Sequence, residues 1–229
     1  MKSRFPRWLA GTAIERYVLH FETAIERAVE RFAAGLPGGA RVLDAGAGEG
    51  RYARHFARHR YVGVDLGVGD AAWDYSGLAA IADLGALPFA AGSFDACVNL
   101  VTLEHVREPG LALREMARVL RPGGSLLLAV PHEWEVHQAP HDYFRFTAHG
   151  VRYLLEEAGF TDLQIGPVGG FFRLLARRLL NGLQFFPAPL VPLAAVFLAP
   201  PALVLPALDF LDRERVFTLG YICTARKLS

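Results

Sequence analysis

Residues Val42, Leu43, Asp44, Ala45, Gly46, Ala47, Gly48, Glu49 and Gly50 take a short apolar run straight into three glycines at alternate positions. This stretch limits the chain more than any other. Glycines so spaced allow left-handed backbone and let a ligand lie against bare main chain, so a strand, a ligand-binding turn and a helix are expected in that order. Dinucleotide-binding folds open in a similar way, with Gly-x-Gly-x-x-Gly. Here the third glycine of that fingerprint would fall at position 51, which is Arg51. A carboxylate at Asp44, closing the strand, would repel a pyrophosphate and attract a cationic ligand.

Strand and helix signals alternate along the rest of the chain. One helix is expected over residues 12–34, where Ile14, Tyr17, Val18, Phe21, Ile25, Val29 and Phe32 recur at three-to-four spacing. Strands are expected at 41–45, 61–65, 80–83, 94–101, 125–130, 160–165 and 216–225. Helices are expected at 50–60, at 110–120 and from a Thr147 cap to Ala158, with Gly159 as terminator. Continuous apolar strands between helices imply a mostly parallel sheet covered on both faces, a doubly wound α/β architecture. At 229 residues one domain is expected. Its core would lie at 40–166 and 214–228, with a helical insertion at 170–212.

Two further acidic residues close strands. Asp65 ends the second, where a carboxylate can accept hydrogen bonds from a ribose diol. Asp83 ends the third, within ADLGALPFAAGSFD (82–95). With the glycine turn, LEHVREPGLALREMARVLRPGGSLLLAVP (103–131) and HDYFRFTAHGVRYLLEEAGF (141–160), residues 40–165 resemble the class I S-adenosylmethionine-dependent methyltransferases of the small-molecule branch. The resemblance implies a Rossmann-like, seven-stranded methyltransferase fold and S-adenosylmethionine as cofactor. It places Asp44, Gly46, Gly48 and Gly50 on the methionine part, Asp65 on the ribose and Asp83 and Leu84 on the adenine, with Ala47 and Leu66 also among the cofactor-binding residues. Asn99 to Val101 would floor the site.

The acceptor is expected beyond the carboxyl ends of the strands, by the loop from Pro131 to Thr147. His132, His137 and His141 stand there among Glu133, Glu135 and Asp142. Histidine titrates near neutrality, so His132 or His141 is a candidate base, with Asp142 as its orienting partner; equally, these residues could brace a lid. His137, His141 and Asp142 also have metal-ligand character, but Pro140 argues for a loop rather than a helix, and no metal is expected. His105 reads as a packing or cofactor-edge residue, and Trp8, Tyr17 and Phe21 as a possible aromatic cover.

From Leu179 to Leu208 there is no charge and no histidine, and six of the 14 prolines fall there. Thirty such residues could cross a bilayer by count. Interior prolines and the need for residues 216–225 to rejoin the sheet argue against a span. Short helices around 170–186 and 192–211 would instead dip into one leaflet, with Arg173, Arg177 and Arg178 near headgroups, or cover the active site or a homodimer interface. So much apolar surface implies a small, hydrophobic or lipid-like acceptor; a sugar or natural-product intermediate is the rival, and a non-catalytic S-adenosylmethionine-binding regulator is the rival from another class. A net charge of +1 with no basic block speaks against nucleic acid. Cys97 and Cys223, each in an apolar run, read as free thiols in a reducing cytosol. A basic N-terminus with no hydrophobic stretch behind it points to a cytoplasmic protein.

Overall fold

The computed structural model describes Tyr17, residues 19–70 and residues 72–228. The first part of the expected 12–34 helix and Trp8 lie outside them. A seven-stranded sheet organises the molecule in the order β3-β2-β1-β4-β5-β7-β6. The strands are β1 (Arg41–Ala45), β2 (Arg60–Asp65), β3 (Ala80–Ile81), β4 (Phe94–Leu100), β5 (Leu120–Pro131), β6 (Phe160–Val168) and β7 (Gly220–Lys227). All neighbours from β3 through β5 run parallel, whereas β7 lies antiparallel between β5 and β6.

Side-chain alternation along the central strands feeds two cores. Cys97, Leu126 and Leu128 face α2 (Pro109–Val119) and α3 (Ala148–Glu157), which contribute Leu113, Met116, Val151 and Leu155. Ala96, Val98, Leu127 and Ala129 face α1 (His20–Gly35) through Phe21, Ile25 and Val29. Both cysteines are free and buried. Thr147 caps α3 by accepting from the Gly150 amide, and Gly159 follows with φ +85°.

Several boundaries differ from the sequence expectation, each for a local reason. The expected helix at 50–60 is a 3₁₀ turn, Ala53–Phe56. Gly50 enters with φ +73°, and the bonds that follow reach only three residues back, as in Ala53 N to Gly50 O and His55 N to Tyr52 O. Tertiary ties hold this segment, for Arg54 and His55 both bond the Glu26 carboxylate on α1. β3 ends at Ile81 because Asp83 turns the chain, its Oδ1 accepting from the Gly85 amide at 2.8 Å. β5 starts earlier than expected, with residues 121–124 looped out where its register against β4 shifts.

The apolar segment folds as α4 (Phe171–Gly182), two short 3₁₀ turns, α5 (Val191–Val204) and a 3₁₀ stretch Leu205–Leu211. α5 continues through Pro200 and Pro201, which offer no N–H to the carbonyls a turn earlier. Residues Ala188–Leu211 are long and apolar enough to cross a membrane by length and composition, yet only 11% of the most apolar window is buried. Two carboxylates at its C-terminal end, Asp209 within it and Asp212 just past it, tie it down. Asp212 accepts from the Phe171 amide (2.7 Å) and Asp209 from the Arg173 amide (3.2 Å) at the start of α4, where helix N–H groups need partners. Asp209 also pairs with Arg215 at 2.7 Å and Arg173 at 3.3 Å.

Candidate active site

A cavity of about 990 Å³ opens at the carboxyl ends of β1, β2 and β4. At its floor Asp44 is 1% exposed. Its Oδ2 accepts from the Tyr61 hydroxyl at 2.7 Å. Burial pushes its carboxyl up to about 7, against the pull of the Tyr61 bond. A buried acid raised this far lacks a cation.

The glycine turn leaves β1 with the Gly46 and Ala47 amides both bonded to the Val64 carbonyl, at 2.8 and 2.9 Å. Gly46 has φ +89°, and a Cβ there would stand 2.2 Å from Thr102 Cγ2. Thr102 has little room to yield, because its hydroxyl lies 3.0 Å from the Gly46 carbonyl and 3.2 Å from that of Leu100. The Gly48 amide donates to Asp65 Oδ2 and the Gly67 amide to Oδ1, both at 2.9 Å. Each carboxylate oxygen keeps a further lone pair for a ligand hydroxyl. The Trp73 ring lies over this turn, 3.4 Å from where a Gly48 Cβ would be.

Asp44, Gly46, Ala47, Gly48, Asp65, Leu66, Asp83, Leu84 and Val101 all line the cavity. Gly50 does not; it shapes the turn from behind. Asn99 does not either. It is fully buried, and its Nδ2 donates to the Ala45 carbonyl at 2.6 Å, tying β4 to the end of β1. Val101 takes φ +53° as the chain turns off β4, a conformation that a β-branched residue adopts only when its surroundings impose it.

The two candidate bases separate. His141 lines the cavity, with Nδ1 3.2 Å from the Tyr143 hydroxyl, which also accepts from Arg107 at 3.1 Å. His132 lies outside it; its amide donates to the Leu219 carbonyl, its Nδ1 lies 2.9 Å from the Phe146 carbonyl, and its ring packs on Tyr221. Asp142 orients neither of them. Arg145 binds both its oxygens, at 2.7 and 2.8 Å, and holds its carboxyl down to about 2. Of the aromatic cover, Phe21 lines the cavity and packs on Trp134, while the Tyr17 hydroxyl reaches the Leu203 carbonyl instead.

Tyr61, Trp73, Thr102, Trp134 and Gln138 were not legible as site residues. Trp73 sits in an aperiodic loop, and Tyr61 reaches Asp44 only because β2 lies beside β1. Glu104 is a further case. It is completely buried, its backbone carbonyl accepts from the Tyr143 and Phe144 amides, and burial pushes its carboxyl up to about 8.

The site suits S-adenosylmethionine on its own chemistry. An uncompensated acid suits an ammonium and a sulfonium, bare glycine backbone admits the chain, and Asp65 at the end of β2 and Asp83 in the turn after β3 offer acceptors for hydroxyl and amino groups. The three arginines near the insertion are engaged within the protein rather than free for headgroups. Arg173 pairs with Asp209, Arg177 with Glu22 while lying over the Trp134 ring, and Arg178 with Glu135 at 2.9 Å.

Residues 43–128 match a family described as a methyltransferase domain. An uncharacterized methyltransferase of Mycobacterium sp. (strain JLS) is 43% identical over 100 residues, 41% of this chain and 39% of that protein. A demethylmenaquinone methyltransferase of Renibacterium salmoninarum is 38% identical over 110 residues, 42% of this chain and 44% of that protein. The matched stretch thus spans less than half the length of either relative. A solved structure of the [4+2]-cyclase SpnF superposes with a TM-score of 0.57 at 26% identity, covering 90% of this chain and 82% of that one. Over residues 43–128 the chain is thus similar to methyltransferases, and the sheet order, with Asp44, Asp65 and Asp83 around a glycine turn, agrees with that likeness.

Proposed function

We infer that the protein transfers a methyl group from S-adenosylmethionine to a small, apolar or lipid-like acceptor. The observation that carries this reading is the continuity of one cavity, from Asp44 and Asp65 at the strand ends and Asp83 in the turn after β3 to Trp134, Gln138, His141 and Tyr143 on the loop after β5. When bound, S-adenosylmethionine supplies an electrophilic methyl carbon on a good leaving group. The protein then has to hold an acceptor atom in line with that carbon and keep water away, which accounts for several kcal/mol of such a barrier.

Asp44, Asp65 and the glycine turn hold the cofactor in this reading, and His141 takes the acceptor proton. Tyr143 can accept from both Arg107 and the His141 Nδ1–H, which leaves His141 Nε2 free to act as base. The apolar character of the acceptor rests on the insertion. α4 is fastened to the cavity's loop by Arg178 to Glu135 and by Arg177 over Trp134, while Phe185, Phe197 and Phe210 beyond it are exposed. In this reading the insertion rests in one leaflet of a membrane and delivers acceptors from it to the cavity.

Purified protein should bind S-adenosylmethionine and S-adenosylhomocysteine by calorimetry. It should also form S-adenosylhomocysteine faster with long-chain phenols or quinols than with sugars or hydrophilic amines. Binding without turnover across that panel would favour a reading in which the fold serves another reaction, as in the cyclase that shares it. Absence of binding would end the proposal.

A further inference from the structure

Behind the acceptor end of the cavity, the side chains of Glu104, His105 and His137 converge, their ligand atoms all within 4.8 Å of one another. Glu104 is completely buried, and neither of its carboxylate oxygens has a hydrogen-bond partner among the described residues. His105 Nε2 lies 3.8 Å from Glu104 Oε1, and His137 Nε2 lies 4.0 Å from the same oxygen. The two rings stand edge to face, with centroids 4.7 Å apart.

Each imidazole is fixed from its far side. His105 Nδ1 bonds the His141 carbonyl, and His137 Nδ1 lies 3.1 Å from the Glu135 carbonyl and 3.5 Å from Asp142 Oδ2. A carbonyl only accepts, so both rings carry a proton on Nδ1, and as neutral imidazoles they present the Nε2 lone pair toward Glu104. With Glu104 ionised, two lone pairs and a carboxylate facing one another would repel, which agrees with the acid being held in its neutral form while no cation is there. Their separations are too long for a hydrogen bond to relieve them. They do suit a shared cation: ligand atoms about 2.0–2.2 Å from one ion stand roughly 3–4 Å apart. Carbonyl and carboxylate groups behind the ligating imidazoles are the usual outer support of a metal site.

We propose that Glu104, His105 and His137 bind a divalent transition-metal ion, zinc by preference, beside the acceptor end of the cavity. Two neutral imidazoles and one carboxylate form a donor set that zinc takes in sites keeping a position open. These are not the residues whose spacing hinted at a metal: His137 is shared, but Glu104 and His105 come from the turn after β4 and replace His141. His105 itself lines the cavity. If the methyl-transfer reading holds, an acceptor oxygen there could become a further ligand, and its proton would leave more readily.

The test does not depend on turnover. The full chain is stripped with chelator and dialysed against zinc chloride or, for its visible spectrum, cobalt chloride. One equivalent per chain is expected, with the absorption bands of a low-coordinate cobalt site. Glu104→Gln and His137→Gln should each weaken retention at least tenfold while calorimetric binding of S-adenosylhomocysteine is unchanged. His137 is partly exposed, so its variant answers the question if Glu104→Gln does not fold. A second group, Glu26, Glu30 and His55, could also gather an ion near the surface, so His55→Ala is the control and should keep the full equivalent. No bound metal in the wild type, equal retention in His137→Gln, or loss only in His55→Ala would overturn the assignment. Loss of S-adenosylhomocysteine binding with metal retained would count against the methyltransferase reading alone.

Discussion

The two ends of the cavity are built by opposite means. The end beneath the glycine turn is made of strand tips, where Asp44 and the Gly46 backbone are fixed by bonds among β1, β2 and β4. The end beneath the β5–α3 loop is assembled from groups far apart in the chain: the Glu104 backbone carbonyl and the side chains of Glu135, Asp142, Arg145 and Arg178. The first has almost no freedom to vary, since a single added methyl collides with Thr102. The second is a set of ionic and aromatic fastenings, and its geometry can be retuned without disturbing the sheet. A fold that keeps one ligand and changes the other benefits from that division.

The sharpest way to break the comparison is Gly46→Ala. Positive φ and a 2.2 Å approach to Thr102 should weaken S-adenosylmethionine binding by about 100-fold or more, read by calorimetry. Near-wild-type affinity would mean that the turn is softer than its bonds imply. At the other end, His141→Ala should lower kcat by about 100-fold at unchanged cofactor affinity, whereas His132→Ala should leave kcat near wild type. Equal effects would erase the distinction between a histidine lining the cavity and one bonded away from it.

A pH titration sharpens the cofactor end. Burial lifts the Asp44 carboxyl from 3.8 to about 7, so the ligand-free fold carries a proton that the unfolded chain has lost. The stability this group contributes is whole below pH 3.8 and disappears as pH rises through 7. A cationic cofactor prefers the ionised acid, so its affinity should tighten about tenfold from pH 6 to pH 8. Asp44→Asn should flatten that dependence.

Liposome flotation addresses the acceptor end. Because Arg173, Arg177 and Arg178 are already paired, attachment should survive on neutral vesicles and change little with salt. Phe197→Asp should abolish it while shifting unfolding free energy by no more than about 0.5 kcal/mol. Salt-sensitive attachment would mean that those pairs open, and concentration-dependent dimers that ignore lipid would assign the surface to a second copy. The smallest effect is expected from Arg178→Ala. Its pair with Glu135 is partly solvated, so the loss should stay near or below about 1 kcal/mol, with the acceptor KM rising and cofactor affinity steady.

The same division explains what could be read from the sequence. The glycine turn, the acids at 44, 65 and 83, the seven strands and both helical pieces of the insertion follow from local pattern, because each depends on neighbours in the chain. The apolar stretch was legible as a proline-interrupted helical insertion, though neither its exposure nor its closure through Asp209 and Asp212 onto α4 was. The acceptor end was hardly legible. His132 and His141 look alike in sequence and separate only when the Phe146 carbonyl takes one ring and the cavity receives the other. Glu104 reads as an ordinary charge in a turn, and only the lining-up of His105 and His137 gives its burial a meaning. The helix expected at 50–60 gives way to a 3₁₀ turn entered at positive φ by Gly50 and held by Glu26 from α1, a contact that no local pattern encodes.

β7 has one more consequence. It wedges into the slot between β5 and β6, and translation delivers it after the greasy hairpin of α4 and α5. Until residues 220–227 emerge from the ribosome, two long ribbons wait with open edges while the stickiest part of the chain is already outside. A nascent chain stalled near residue 211 would be sticky in both respects, and a nearby lipid surface could shelter the hairpin until the sheet zips shut.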